Sequence, residues 1–311
     1  MELFVALAGA AIGATALLLQ SKPLPSADDL KKAQAKLATN PDDPDANKVV
    51  GKYLAFVTGD YTAAMPYLSK SGDKVLKPVA DHELDPTYTD TPLKKIGMGD
   101  DWTIAARSYP QIARILYDRS AFWYAQSWPF VDGVWKDKLR EQMRKLFQNA
   151  GVPDPKGLSA APSGWKNIDT AQKAGPTTKA AHSGRVSFQV VGSKKIPDQV
   201  VSLEQALTAI PGKTYEFSAW VMSDGTDSTN DVISAVFFGP NANMMGVSIL
   251  LIPQDQPWWH KVEGSFLMPA GAAILQIHVG VASRVGSLFI DDISLRVDQK
   301  EMLQNGSFEN R

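Results

Sequence analysis

The sequence predicts a multidomain α plus β protein: an N-terminal α-helical, repeat-like domain followed by a C-terminal antiparallel β-sandwich of jelly-roll type. Three observations predict it. Between residues 25 and 150 apolar side chains recur at spacings of three and four, the period of amphipathic helices. From 164 onward they alternate in short runs broken by Gly, Pro, Asp and Asn, the period of strands buried on one face. Between the two, 151–163 is dense in Pro, Gly and Ser, has no apolar period and reads as a linker. A length of 311 residues suits two domains, and 44% apolar with 21% charged residues is ordinary for globular protein. A net charge of −1 without long runs of one sign argues against a nucleic-acid footprint. The absence of cysteine removes disulfides, thiolate metal sites and cysteine nucleophiles.

Taken in order, Leu3 to Leu19 carries no charged residue over 17 positions. Residues 1–24 therefore read as a secretory signal or an uncleaved anchor, with a buried first helix as the alternative. The first two readings imply an extracytoplasmic protein, whether periplasmic, secreted or cell-surface. Asp45–Val57 places Val49, Val50, Tyr53, Leu54 and Val57 on one helical face, Thr58-Gly59-Asp60 breaks it, and a second helix follows over Tyr61–Leu68. Further helices are expected over Asp100–Ser108, Gln111–Ser127 and Val134–Asn149, with prolines 92, 110 and 129 marking turns. The stretch AFWYAQSWPF (Ala121–Phe130) holds five aromatic residues pointing in several directions, which suits a core between stacked helices. Gly51, Leu54, Ala63 and Tyr67 resemble the small, large, small and aromatic positions of a tetratricopeptide repeat, and a second unit through Gly99, Trp102, Ser120 and Tyr124 is similar. That resemblance implies a protein-interaction adaptor.

In the second half the strand-like segments are VSFQVVG, YEFSAWVMS, VISAVFFG, VSILLI, KVEGSFLMP, ILQIHVGV and SLFIDDISLRV. Tyr215, Phe217, Ala219 and Val221 share one face of their strand and belong between the sheets; Glu216, Ser218 and Trp220 share the other. The apolar parity changes from even (Leu288, Ile290) to odd (Ile293, Leu295) across Asp291-Asp292, which calls for a bulge there. The polar loop Asp224–Asp231 carries three aspartates and reads as a solvated hairpin, with a cation loop as the alternative.

AHSGRVSFQV (Ala181–Val190), IPGKTYEFSAWVMS (Ile210–Ser223), PWWHKVEGSFLMP (Pro257–Pro269) and GSLFIDDISL (Gly286–Leu295) occur in that order and resemble the jelly-roll carbohydrate-binding modules attached to xylanases and other glycoside hydrolases. The resemblance implies a polysaccharide ligand on a concave sheet face. Flat aromatics against the C–H face of a sugar, with side chains that donate and accept hydrogen bonds, are what such a face needs. Trp220, Glu216, Trp258, Gln276 and His278 are the expected carbohydrate-binding residues, with Trp259 as the buried neighbour of Trp258.

The same resemblance implies a structural Ca2+. Its expected ligands are the carboxylates of Asp291 and Glu309, with carbonyls from Ser307 and from the loop around His182 and Arg185. The motif NGSFE, which opens such modules, stands here at Asn305–Glu309, after the last strand. It is either a circularly permuted closing strand over 302–310 or the start of a second, truncated module. No P-loop, dinucleotide fingerprint, His-Glu-x-x-His or Gly-x-Ser-x-Gly occurs. The sequence thus points to a non-catalytic, exported binding protein, with no nucleic acid among its partners and a membrane only through an anchor. The alternatives are a cell-envelope assembly protein and, less directly, a glycan hydrolase.

Overall fold

The computed structural model describes residues 24–148, 161–167, 174–193, 200–281 and 283–309. The expected signal or anchor and nearly all of the expected linker lie outside these residues. Two compact units divide the chain, Met1–Leu84 and Asp85–Arg311. The expected single helical domain over 25–150 is therefore split, because its last three helices belong to the unit that contains the sandwich.

In the first unit, α1 (Ala27–Thr39), α2 (Pro44–Phe56), α3 (Tyr61–Ser69) and α4 (Leu76–Leu84) follow one another as short antiparallel pairs. Each start is chemically marked. Ser26 and Asp29 form a reciprocal capping box on α1; Asp43 accepts from Ala46 N and precedes Pro44 at the first position of α2; Asp60 accepts from Ala63 N on α3. Gly51 lets α3 approach α2: a Cβ there would lie 2.7 Å from Leu68 Cδ2. Leu68 is thus the residue that Gly51 receives. Asp73, almost fully buried, holds Lys48 and Lys52 (3.4 and 3.0 Å) and accepts from Leu76 N at the start of α4.

In the second unit the helices are α5 (Pro92–Ser108), α6 (Ala113–Ser127) and α7 (Gly133–Phe147). Pro92 does not mark a turn, as expected from its chemistry, but occupies the first helical position behind Thr91, which accepts from Lys94 N. Gly99 packs under the Tyr124 ring, and Ser120 Oγ donates to the Gly99 carbonyl at 2.7 Å. A Cβ at Gly99 would collide with that ring. Gly99→Ala is expected to destabilise this unit by about 2 kcal/mol through overpacking; a thermal melt matching the parent would show that the ring yields.

Among the described residues the sandwich has two sheets. The five-stranded sheet has the order β1 (Lys166–Asn167), β4 (Val200–Thr208), β9 (Ile274–Val281), β6 (Val232–Phe238), β7 (Met244–Leu251). The other runs β2 (Ala174–Thr177), β3 (Ser187–Val191), β10 (Ser287–Val297), β5 (Thr214–Asp224), β8 (Gln256–Leu267), with β11 (Lys300–Glu301) paired to the end of β10. All pairings are antiparallel. Tyr215, Phe217, Ala219 and Val221 meet Ile233, Ala235, Leu275, Ile277 and Val279 in one core. The expected bulge is present: β10 shifts register against β5 between Asp291 and Ser294, and Asp292 takes φ 47°.

The tail turns back on β10, but not as the regular strand expected over 302–310. Antiparallel pairing covers Lys300 and Glu301, after which Met302 N donates to Leu295 O and Ile293 N to Gly306 O. Phe308 then enters the core, 5.7 Å from Trp165 and 5.8 Å from Phe188 between ring centroids. Gln205 clasps Gln304 twice, donating to its carbonyl and accepting from its N–H.

Helices α6 and α7 cover one end of the outward face of the six-stranded sheet. Met222, Trp259 and Phe289 of the sheet are buried in one cluster with Tyr124, Trp128, Leu139, Met143, Leu146 and Phe147. Arg140 forks onto Asp255 (2.6 and 3.0 Å) and reaches Asp224, while Arg144 forks onto Asp224 (2.5 and 3.0 Å). These bidentate, partly buried pairs fix orientation as well as adding attraction.

Candidate functional site

Beyond the part covered by helices, the outward face of β10, β5 and β8 remains open. Strand register lays three rows across it: Asp291, Trp220 and Lys261; Ser294, Ser218 and Glu263; Arg296, Glu216 and Ser265. The inward parity of Tyr215 and Phe217 is what turns Glu216, Ser218 and Trp220 outward. These residues other than the buried Asp291, together with Asp292, line a groove of about 620 Å3. Lys261 pairs with Glu263 (2.6 Å) and Arg296 with Glu301 (3.6 Å), so the charges are largely matched within the protein. The face offers three hydroxyls, several carboxylates and two cations around one indole. That mixture suits a neutral ligand with many hydroxyl groups.

Trp220 is held from one side. The His182 ring stacks on it, with centroids 3.8 Å apart and planes 11° apart, and meets Trp259 edge-on. His182 is fixed in turn by Asp292, whose Oδ2 lies 2.7 Å from Nδ1, while Ser183 Oγ donates to Oδ1 of the same carboxylate. Burial acts to raise the Asp292 pKa, but these two hydrogen bonds together with nearby positive charge leave it lowered.

Of the five expected carbohydrate-binding residues, the structure brings Glu216 and Trp220 together in the groove. Trp258 is engaged elsewhere: it is half-buried and packs edge-on against Trp128 at 5.9 Å, leaving Trp259 more deeply buried beside it. Gln276 and His278 lie on the outward face of the other sheet, because β9 is paired with β4 and β6. There His278 stands in register with Glu204 and Ser234, its Nε2 3.2 Å from Glu204 Oε2. The single surface expected from parity is thus two surfaces on opposite sides of the sandwich. His182, Lys261 and Arg296 were not singled out as ligand-facing; only cross-strand register reveals the last two.

The expected calcium ligands are arranged for a different purpose. Asp291 is fully buried and accepts from His182 N (2.8 Å), Ser183 N (3.1 Å) and Asp292 N (2.8 Å). Glu309 Oε1 accepts from Arg185 N (2.7 Å) and Val186 N (2.8 Å). His182 and Arg185 therefore present N–H donors to the carboxylates, where a calcium site needs carbonyl oxygens directed at the ion. The Ala181 carbonyl in that loop is already taken by Arg114 Nη1 at 2.6 Å. Ser307 sits in the turn before Phe308. Among the described residues no group of three or more His, Asp or Glu is placed to hold a metal ion. The donor set does not fit Ca2+. Burial, with the Asp292 charge beside it, pushes the Asp291 pKa up to about 8 in spite of its three N–H donors.

The polar loop Asp224–Asp231 joins the structure through its own carboxylates: Asp227 accepts from Arg284 N and Asp231 from Ser283 N, and Asp224 is held by α7. No described helix is long and apolar enough to cross a membrane.

No curated protein matches the chain. Among solved structures, similar ones include the tailspike protein 4 enzymatically active domain of Bacteriophage CBA120 (17% identity, TM-score 0.35, 43% of this chain and 19% of that one). Another is the Clostridium thermocellum xylanase 10B CBM22-1–GH10 pair (13%, 0.37, 45% and 27%). A third is the CBM22-1 xylan-binding domain of Paenibacillus barcinonensis Xyn10C (15%, 0.37, 46% and 92%). The chain thus spans well under a third of the first two. By sequence, residues 159–284 match the carbohydrate binding domain family CBM_4_9.

Proposed function

We propose that this is a non-catalytic, exported binding protein whose sandwich takes a neutral polysaccharide in the groove of the six-stranded sheet, with the first helical unit as an adaptor for another protein. The observation that carries it is the groove: an indole at one end and three cross-strand rows of donors and acceptors, with most of the charge internally matched. The match of residues 159–284 to a carbohydrate binding domain supports the ligand class. The uncharged run Leu3–Leu19 supports export.

A second reading places the glycan on the opposite face. Glu204, His278 and Ser234 form a polar row there, with Gln276 one step along and exposed Val247, Ile249 and Leu251 beside it on the edge strand β7. Affinity electrophoresis of the full chain in gels containing xylan, β-glucan or galactomannan separates the two. Ser265→Trp, at an exposed position, fills the groove and is expected to abolish retardation. Glu216→Gln should weaken binding about tenfold, the worth of one good hydrogen bond. His278→Ala and Gln276→Ala should leave it unchanged. Retardation that survives Ser265→Trp and is lost in His278→Ala would move the site to the other sheet, and release of sugar products would identify a hydrolase.

A further inference from the structure

We infer that β7 is a docking edge for a second copy of this chain: two β7 strands pair antiparallel about a two-fold axis and join the five-stranded sheets of both copies into one. A sheet edge offers a row of unpaired N–H and C=O groups, and native proteins blunt it with charge, proline or brevity. Among the described residues the other strands at the ends of the two sheets are blunted in that way. β1 has two residues, one of them Lys166, β2 has four and contains Pro176, and β8 carries Lys261 and Glu263. β7 differs: its eight residues, MMGVSILL, include no charge and no proline. Among the described residues it pairs with β6 alone, so its other edge is open.

The side chains fit the same partner. Leu250 stands in register with Ile233 and enters the core, so alternation turns Val247, Ile249 and Leu251 outward. A strand with one face to water normally alternates apolar with polar residues. Here the outward set is apolar too, at 41%, 50% and 63% exposure. A two-fold axis at Ile249 sets Val247 opposite Leu251 of the second copy, and Ile249 opposite its own counterpart. These are apolar cross-strand pairs of the kind that stabilise sheets, and no like charges meet across the axis. An extra residue on β7 at Met245 bends the strand and ends the regular stretch, leaving 246–251 to pair. Such a contact is self-complementary: it uses up both β7 edges and stops at two copies. It holds whichever sheet takes the ligand.

Sedimentation velocity of the full chain at concentrations up to about 100 µM tests this. The parent is expected to reach twice the chain mass within that range, the roughly micromolar affinity of a small interface. Ile249→Lys, at an exposed position, brings two like charges together at the axis and should leave a single chain mass throughout. Ala206→Lys, exposed on β4 of the same outward face but far from the edge, should pair like the parent. The chain has no cysteine, so Ile249→Cys gives a second readout. Directly opposed residues of an antiparallel pair lie within disulfide reach, and mild oxidation should yield a covalent dimer that Ala206→Cys does not form. A parent that stays at one chain mass would overturn the inference. So would a dimer that survives Ile249→Lys, as association through Leu3–Leu19 would. Loss of the dimer in Ala206→Lys would mean stacked sheet faces instead, and masses growing beyond two chains would rule out a closed pair.

Discussion

Deleting Asn305–Arg311 is expected to lower the melting temperature of the unit that contains the sandwich by about 10 °C or more, and Phe308→Ala alone should account for most of that fall. Phe308 is 1% exposed, and its ring fills the space between Trp165 and Phe188. Removing a buried phenylalanine side chain costs about 3–5 kcal/mol through lost transfer energy and the cavity left behind. The backbone there is also unusual: Phe308 has φ 59°, a conformation that an aromatic residue holds only where packing enforces it. The tail carries hydrogen bonds that the rest of the fold relies on. Without it, Ile293 N loses the Gly306 carbonyl, Trp165 Nε1 loses the Asn305 carbonyl, and Arg185 N and Val186 N lose Glu309. Glu309→Ala removes only the last of these, at a more exposed site, and should shift the melt less than Phe308→Ala. A truncated protein that melts with the parent would show the tail to be an appendage.

Above about pH 8, where Asp291 is ionised, Asp291→Asn should be nearly as damaging although it changes no shape. All three partners of Asp291 are backbone N–H groups, two on Oδ2 and one on Oδ1. Whichever way an amide is turned, its NH2 faces a donor. One or two buried N–H groups are then left without an acceptor, at about 1–3 kcal/mol each. Hydrogen exchange gives the local signature: the amides of His182, Ser183 and Asp292 should lose protection before those of the central strand β5. Equal protection in parent and variant would mean that the loop is held by other contacts.

The bulge beside Asp291 was legible in the sequence because parity is strict: apolar residues cannot change from even to odd positions without an inserted residue. The strands that carry alternation, such as Tyr215–Val221, were legible for the same reason. Strand β4 was not, since VVSLEQALT contains good helix formers and its inward Gln205 is polar, matched by Gln304 about a hundred residues later. Parity also tells which side of a strand a residue occupies but not which sheet the strand joins. That is why Gln276 and His278 were grouped with Glu216 and Trp220, when β9 lies in the opposite layer. In sequence nothing sets Arg140 and Arg144 apart from the solvated charges of an amphipathic helix. Their carboxylate partners, Asp224 and Asp255, are 80 or more positions away and could be found only in three dimensions.

The docking of α6 and α7 bears on portability. A sandwich that serves as an interchangeable appendage needs a polar outer skin all round, so that it folds wherever it is attached. Here one sheet presents Met222, Trp259 and Phe289 outward, with Asp224 and Asp255 at their border, and it depends on the helices for both apolar cover and counter-charge. Severed before residue 164, the strands would expose a greasy patch ringed by uncompensated acid. The transplantable piece begins at Asp85, so grafting this sandwich onto another protein means carrying its helical roof along.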